Sequence, residues 1–307
     1  MISVIFPAYN EDGNVAELHG RILKALKETG ESFEIIGIDN ASTDRTGEVL
    51  STLSPLKIVT MGFNLGQTAA LDAGIHVAKG DIIVTLDADL QNDPRDIPMM
   101  LKKLNEGFDA VVGWRKDRHD TFGRQVFSHL ANTLSRKVLG VNIHDYACAL
   151  KMFKKKHLNG MRLYGEMHVF LVGILHMRGA KISEVEVTHH ERTQGTSKHT
   201  FIKGAKDIAD LLTVKFILGT SRPLLVFMVS SLLSWSIALI TAATSITLKI
   251  MHVRNFGETP LPVITSLFII VGFLFIMMGF LAELMLRIYY ESKRETPYVI
   301  SNIKENK

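Results

Sequence analysis

The chain has 307 residues, 47% of them hydrophobic, a formal net charge of +4 and a single cysteine. That length accommodates one large domain with an appendage, or two modest domains. One cysteine excludes an intrachain disulfide and a cysteine metal cluster, so Cys148 reads as a small buried residue. The modest basic charge carries no stripe interleaved with aromatics; this sets nucleic acid aside as a partner and suits anionic lipid or phosphorylated substrates.

The first half alternates short apolar runs with segments of helical period. Strands are expected at Ile2–Phe6, Phe33–Ile38, Leu56–Thr60, Asp81–Leu86 and Phe108–Val112. Helices are expected at Val15–Lys27, after a cap at Thr43 or Asp44, at Gln67–Ala78 and at Pro94–Glu106, the last with proline in its first turn. Such alternation predicts an α/β domain with a mostly parallel sheet covered by helices. Ligands in such sheets sit at the carboxyl ends of the strands. Residues 114–200 mix charged loops with helices such as Phe127–Leu139, and His189-His190 reads as part of a strand entering the loop of Arg192.

Residues 200–220 are expected to form an amphipathic juxtamembrane helix, with Phe201, Ile202, Ala205, Ile208, Leu211, Leu212 and Phe216 on or near one side. Pro223–Leu248 and Thr259–Ala282 contain no charge. Each exceeds the roughly 20 residues that cross a bilayer, so two transmembrane helices are expected. Arg222, Arg287, Lys293 and Arg294 flank the pair on one side, against Lys249 and Arg254 in the connecting loop. This places both termini in the cytoplasm, as does an N-terminus without a signal-peptide pattern. The expected division is 1–199 catalytic, 200–220 juxtamembrane, 221–290 transmembrane and 291–307 cytoplasmic tail.

The chemistry starts at Asp87 and Asp89, which follow the apolar run Ile82-Ile83-Val84-Thr85-Leu86. Two carboxylates at the end of a buried strand repel one another and are costly to desolvate. A hard divalent cation relieves that cost, and oxygen donors beside a diphosphate suit magnesium or manganese. Gln91 adds an amide oxygen. An Asp-x-Asp by itself is equally a solvated turn before the helix at Pro94. Pro7-Ala8-Tyr9-Asn10-Glu11 and Asp39 to Asp44 end the first two strands, where capping and nucleoside binding are both open to them. The first strand is not followed by Gly-x-Gly-x-x-Gly, and no Gly-x-x-x-x-Gly-Lys-Ser/Thr loop occurs, which sets dinucleotide oxidoreductases and P-loop kinases aside.

Together these segments resemble family 2 glycosyltransferases of the GT-A fold. The similarity runs through Asn64-Leu65-Gly66-Gln67, Gly80-Asp81, Asp87 to Pro94, Gly113-Trp114-Arg115, His144-Asp145-Tyr146, His190-Glu191-Arg192 and Gly195 to Lys198. It reaches the tail at Glu283, Arg287 and Pro297-Tyr298, and so covers nearly the whole chain. Within the family it is similar to polyprenyl-phosphate glycosyltransferases, the undecaprenyl-phosphate formamido-arabinose transferases, bactoprenol glucosyltransferases and dolichyl-phosphate mannose synthases.

The resemblance implies inverting transfer of a sugar from a nucleotide donor, UDP by similarity, to undecaprenyl or another polyprenyl phosphate, with Mg2+ or Mn2+, at the bacterial inner membrane. The product would serve envelope glycan or lipopolysaccharide modification. It implies that Pro7, Tyr9, Asn10, Glu11, Asp39 and Asn64 hold the nucleotide, and that Asp89 and Gln91 ligate the metal, with Asp87 on the nucleotide and sugar side. Arg115, Arg124 and Ser128 would receive the acceptor phosphate. Arg192, Ser197 and Lys198 would close over the phosphates, and Asp145 would contact the sugar. Asp87, Asp89, Arg115 and Arg124 form the implied catalytic set. It also leaves room for a homo-oligomer. Three positions depart from the family pattern: Asn40 stands where many relatives have a second aspartate, and Ala147 and Lys151 where they often have glycine and arginine. A processive polysaccharide synthase would need Gln-x-x-Arg-Trp, which neither Trp114 nor Trp235 ends. A nucleotidyltransferase would need a glycine-rich basic start, and an inactive membrane-tethered sugar-nucleotide binder would not need Asp87, Asp89 and Gln91 intact.

Overall fold

The computed structural model describes residues 1–116, 132–133, 135–163, 165–190 and 223–293. The chain divides into two compact units, Met1–Lys215 and Phe216–Lys307. The first is built on a seven-stranded sheet of order β3-β2-β1-β4-β6-β5-β7. The strands are β1 (Ile2–Ala8), β2 (Phe33–Asp39), β3 (Lys57–Thr60), β4 (Ile82–Thr85), β5 (Ala110–Trp114), β6 (Lys151–Lys154) and β7 (Ile182–Glu186). The helices of this unit are α1 (Val15–Thr29), α2 (Thr46–Ser51), α3 (Gln67–Val77), α4 (Ile97–Asn105) and α5 (Leu171–Met177). All pairings are parallel except those of β6, which runs antiparallel between β4 and β5.

The expected α/β architecture with a mostly parallel sheet is therefore the one observed. Two strands in the stretch read as loops and helices, β6 and β7, complete it. β5 begins two residues later than expected, because Gly107 at φ 104° turns the chain and Asp109 is used as a tie. The described part of the helix expected at Phe127–Leu139 is helical at residues 132–133 and 135–139.

The sheet is fixed by apolar strands buried on both faces. Ile2, Val4, Ile5, Phe6, Ile36, Ile38, Ile83, Val84, Met152 and Phe153 are inaccessible to solvent. α3 lies directly on β1 and β2 because it carries glycine at the contact: a Cβ on Gly74 would sit 2.5 Å from Ile5 Cγ2 and 2.8 Å from Ile38 Cδ1. That close approach brings Gln67, at the start of α3, to the carboxyl edge of the sheet.

Asp109 pins the antiparallel insertion. Its carboxylate accepts from Lys154 Nζ of β6 at 3.0 Å and from the Lys181 backbone N–H just before β7 at 3.2 Å, with Lys156 Nζ at 3.5 Å. Burial works against the ionised carboxylate, but the Lys154 and Lys181 bonds outweigh it and hold the carboxyl below the usual carboxylate range. A depressed carboxyl contributes stability that is complete above its ordinary pKa of about 4 and is lost as pH falls from there through the folded value. Asp109→Asn is therefore expected to lower unfolding stability by about 1–3 kcal/mol at neutral pH. The gap between variant and parent should narrow as pH falls from about 4 towards 2. Denaturant melts of the full chain at both pH values check this.

The second unit is a helical hairpin of α6 (Pro223–Ile250) and α7 (Leu261–Lys293). Both helices are long and apolar enough to cross a membrane. Only 17% and 11% of their most apolar windows are buried, which is far too little for core helices of a water-soluble domain. Small residues let the two backbones approach, as in membrane helix pairs. A Cβ on Gly272 would lie 2.2 Å from Trp235 Nε1, and one on Gly279 would lie 2.9 Å from Phe227 Cβ. Ser234 Oγ donates to the Phe268 carbonyl at 2.7 Å, Trp235 Nε1 to Ile269 at 3.2 Å, and Thr241 and Thr265 share a hydroxyl bond of 2.9 Å. Residues 294–307 and the expected juxtamembrane helix at 200–220 lie outside the described residues.

Candidate active site

The order β3-β2-β1-β4 reverses direction between β1 and β4, and the crevice outside such a switch point is where doubly wound sheets take their ligands. β4 leaves the ladder early. Its last bond to β1 is Leu86 N–H to the Ile5 carbonyl, so the absent N–H of Pro7, which faces that side, breaks no pairing. The segment Asp87–Gln91 fills the resulting gap.

Three strained residues line this rim. Asn10, Ala41 and Leu90 have φ of 57°, 58° and 61°. Left-handed backbone costs an alanine or leucine about 1–2 kcal/mol and is retained where the surroundings fix it. Leu90 is held by its buried side chain, and Gln91 N–H donates to Asp89 Oδ1 at 3.2 Å, so the tight turn directs both polar groups out of the strand end. Asn10 is held by the next turn: its Oδ1 accepts from Thr43 N–H at 2.8 Å, and its own N–H donates to Ser42 Oγ at 3.1 Å. Glu11 N–H donates to Thr46 Oγ1 at 2.8 Å, and Asp44, one residue before the N-cap Arg45, accepts from Thr46 N–H at 2.9 Å. The ends of β1 and β2 are thus laced into one surface.

Asp39, the last residue of β2, is buried and accepts from Ser42 N–H at 2.9 Å. Beside it, Asn40 Nδ2 donates to Asn64 Oδ1 at 3.1 Å and to the Gly66 carbonyl at 3.3 Å. Asn64 is thereby fastened to the same wall, while Tyr9 stands exposed at its margin.

Asp87 is gripped from several sides. Burial, reinforced by the charge of Asp89, pushes its carboxyl up to about 6, against the pull of Lys151, Arg115 and a hydrogen bond from Gln67 Nε2. Asp89 is buried. Arg115, just past β5, does not stand free: Nε donates to Asp145 Oδ2 at 2.7 Å and Nη2 to Asp145 Oδ1 at 2.9 Å. The side chains of both are almost wholly buried. Burial opposes the guanidinium charge, but the Asp145 fork outweighs it and raises the pKa of Arg115 further.

Lys151 enters the same rim from β6, buried, with Nζ donating to the Cys148 carbonyl at 2.5 Å. Burial pushes its pKa down, while Cys148, Asp145 and Asp87 resist. In sequence it marks only a departure from the family pattern, and the antiparallel course of β6 is what brings it here. Gln67 was legible as part of a motif, but its bond to Asp87 was not.

Residues 188–190 are strapped along the turn that follows. His189 pairs with Asn92 in an isolated bridge rather than in a strand. His190 N–H donates to the Gln91 carbonyl at 2.9 Å, its Nε2 lies 2.9 Å from Asp93 Oδ2, and Thr188 N–H donates to Asp96 at 2.8 Å. Pro7, Tyr9, Asn10, Glu11, Asp39, Asn64, Asp87, Asp89, Gln91, Arg115 and Asp145 thus all fall on one carboxyl-end rim. Arg124, Ser128, Arg192, Ser197 and Lys198 lie outside the described residues.

The donor set suits a hard cation held jointly with a ligand. Among the described residues no group of three or more His, Cys, Asp or Glu could hold a metal by itself. Magnesium-type sites characteristically use one or two carboxylates and complete the shell with phosphate and water. Asp89 and the Gln91 amide would supply such a partial set, beside an Asp87 whose carboxyl is pushed up by burial and by the charge of Asp89.

Removing Arg115 should expose the weight of its pair. Arg115→Ala leaves the Asp145 carboxylate buried without its forked cation, and is expected to cost about 3–5 kcal/mol of stability. Replacing the pair together, Arg115→Met with Asp145→Leu, should recover most of that loss in thermal melts of the full chain.

The sequence of residues 3–161 matches the Glycosyl transferase family 2 model. The chain is 34% identical over 314 residues to a dodecaprenyl-phosphate galacturonate synthase of Rhizobium johnstonii, covering 98% of this chain and 92% of the relative. It is 32% identical over 311 residues to an undecaprenyl-phosphate 4-deoxy-4-formamido-L-arabinose transferase of Edwardsiella ictaluri, covering 98% and 94%. In fold it resembles glucosyl-3-phosphoglycerate synthase of Mycobacterium tuberculosis, solved with Mn2+, UDP and phosphoglyceric acid. The TM-score is 0.56 at 21% identity, over 70% of this chain and 78% of that one. The chain belongs to glycosyltransferase family 2 and is a glycosyltransferase of the GT-A fold.

Proposed function

We propose that this enzyme moves a sugar from a UDP-sugar to a polyprenyl phosphate, with inversion at the anomeric carbon. The observation that carries this is the convergence of Asp87, Asp89, Gln91 and the Asp145-held Arg115 at one switch point, in a chain similar over its whole length to polyprenyl-phosphate sugar transferases. UDP is the nucleotide in the solved complexes of the fold neighbour, which supports the same donor class here.

In this reading Pro7, Tyr9, Asn10, Glu11, Asp39 and Asn64 form the wall that binds the nucleoside. Asp89 and Gln91 hold a magnesium or manganese ion, whose charge stabilises the leaving diphosphate. Asp87 faces the sugar side. Asp145 occupies two of the five N–H groups of Arg115 and fixes the plane of the guanidinium. Three N–H groups then remain to receive the acceptor phosphate. Asp145 acts through Arg115 rather than as a direct sugar ligand, consistent with its burial. Arg124 and Ser128 complete the acceptor site, and Arg192, Ser197 and Lys198 cover the phosphates. A phosphate monoester has its second pKa near 6, so the attacking oxygen is already anionic at neutral pH and requires no strong general base.

The two apolar helices hold the enzyme in the membrane where such an acceptor resides. The basic residues flanking them support an arrangement with the catalytic unit and both termini on the cytoplasmic side of the inner membrane.

The test uses full-length protein in detergent with undecaprenyl phosphate, MnCl2 and a panel of radiolabelled UDP-sugars. One donor is expected to pass label into the organic-extractable lipid. Asp89→Ala should reduce that rate by about 100-fold or more. Absence of lipid-linked label with every donor would overturn the acceptor class, and near-normal turnover by the variant would remove Asp89 from the metal role.

A further inference from the structure

We propose that Lys151 is a positioning residue of the transfer site, a buried ammonium that holds the Asp87 carboxylate and the turn bearing Asp145 in register across the crevice. The proposal rests on the glycosyl-transfer reading of this rim.

β6 runs antiparallel to β4 with Lys151 paired to Thr85, so a residue at the start of β6 arrives two positions before Asp87, at the carboxyl edge. Every other strand in that part of the sheet reaches the edge with its last residue. Among the described strands the reversed one is therefore the one that delivers its first residue there, and it delivers a lysine that is 3% exposed. A buried, unpaired ammonium is strongly disfavoured, and a fold retains one only among compensating charges. Here the compensating charges are Asp87, which lines the same narrow crevice as Lys151, and Asp145, which begins the turn whose Cys148 carbonyl Lys151 bonds; both belong to the site.

Lys151, Gln67, Thr85, Asp87 and His168 line a narrow crevice with about 10 Å³ of accessible space, room for roughly one water molecule and far too small for a sugar. Lys151 thus addresses its neighbours and not the substrate. Its bond to the Cys148 carbonyl ties it to the turn from Asp145 to Ala149, whose aspartate orients Arg115. Gln67 grips Asp87 from α3 on the other side. With the ammonium in place, the sugar-side carboxylate and the acceptor-side guanidinium are referred to one fixed charge. Without it, both lose that reference while the nucleoside wall of β1, β2 and Asn64 is untouched.

Lys151→Met and Lys151→Arg, made in the full-length chain, separate this from a purely structural role. The donor is the UDP-sugar that labels lipid with the wild type, and binding is probed with UDP and MnCl2 by calorimetry. Lys151→Met is expected to lower kcat by about 100-fold, the scale of a misplaced reacting group. The affinity for UDP with Mn2+ and the donor KM should stay within about threefold of wild type. Lys151→Arg, which keeps the cation, should recover most of kcat. Unchanged kcat in Lys151→Met overturns the proposal. So does a parallel loss of UDP affinity, and so does an arginine variant that binds UDP normally yet turns over no faster than the methionine variant. Failure of the wild type to label lipid from any donor would instead overturn the reading of the site on which the proposal rests.

Discussion

The repulsion between Asp87 and Asp89 is the constraint around which the catalytic unit is arranged. The two carboxylates stand two residues apart at the end of a buried strand, in the gap where β4 parts from β1. Nothing in the core of the sheet needs them there, and desolvation penalises both. The surrounding elements compensate the excess charge in part: Gln67 from α3, Lys151 from β6 and Arg115 from the end of β5 all act on Asp87. Among the described residues around Asp87, the carboxylates of Asp89 and Asp145 are set against the cations Arg115 and Lys151. In the reading proposed above, Asp89 and Gln91 would take a divalent ion jointly with the diphosphate of a nucleotide donor.

This constraint explains features that otherwise look unrelated. The left-handed Leu90 keeps the turn after Asp89 tight, with Gln91 N–H bonded back to Asp89 Oδ1. The strap of residues 188–190 fastens the far side of that turn, through Gln91, Asn92, Asp93 and Asp96. Gly74 lets α3 lie close enough for Gln67 to reach Asp87. Within the second unit a different economy holds: glycine and serine at the seam allow α6 and α7 to touch, while leucine, isoleucine, methionine and phenylalanine cover the rest for a lipid environment.

Much of this was legible in the sequence. β1, β2 and β4 appear as continuous apolar runs because parallel strands are buried on both faces. The polar segments that end them gave the rim. The two membrane-length helices follow from the absence of charge. β6 was not legible, because Lys-Met-Phe-Lys is four residues long, begins with a lysine that only tertiary structure buries, and reverses the direction of its neighbours. β7 was missed because its Ile-Ser-Glu-Val-Glu pattern is short and only partly buried. Lys151 is legible in sequence only as a departure from the family's arginine, while its burial at the rim depends on β6 and is not. Asp145 was found by motif, but its partner was not: no sequence pattern distinguishes a carboxylate that touches a sugar from one that orients an arginine thirty residues away.

The central claim is that two protein oxygens and a crowded carboxylate pair form a cation site only together with a diphosphate. Titration of Mn2+ into the full-length enzyme, followed by electron paramagnetic resonance with and without UDP, measures this directly. The account predicts weak Mn2+ binding by the enzyme alone and binding tighter by about tenfold or more once UDP is present, with UDP affinity raised by the same factor when Mn2+ is added. Equal Mn2+ affinity in the presence and absence of UDP would contradict it.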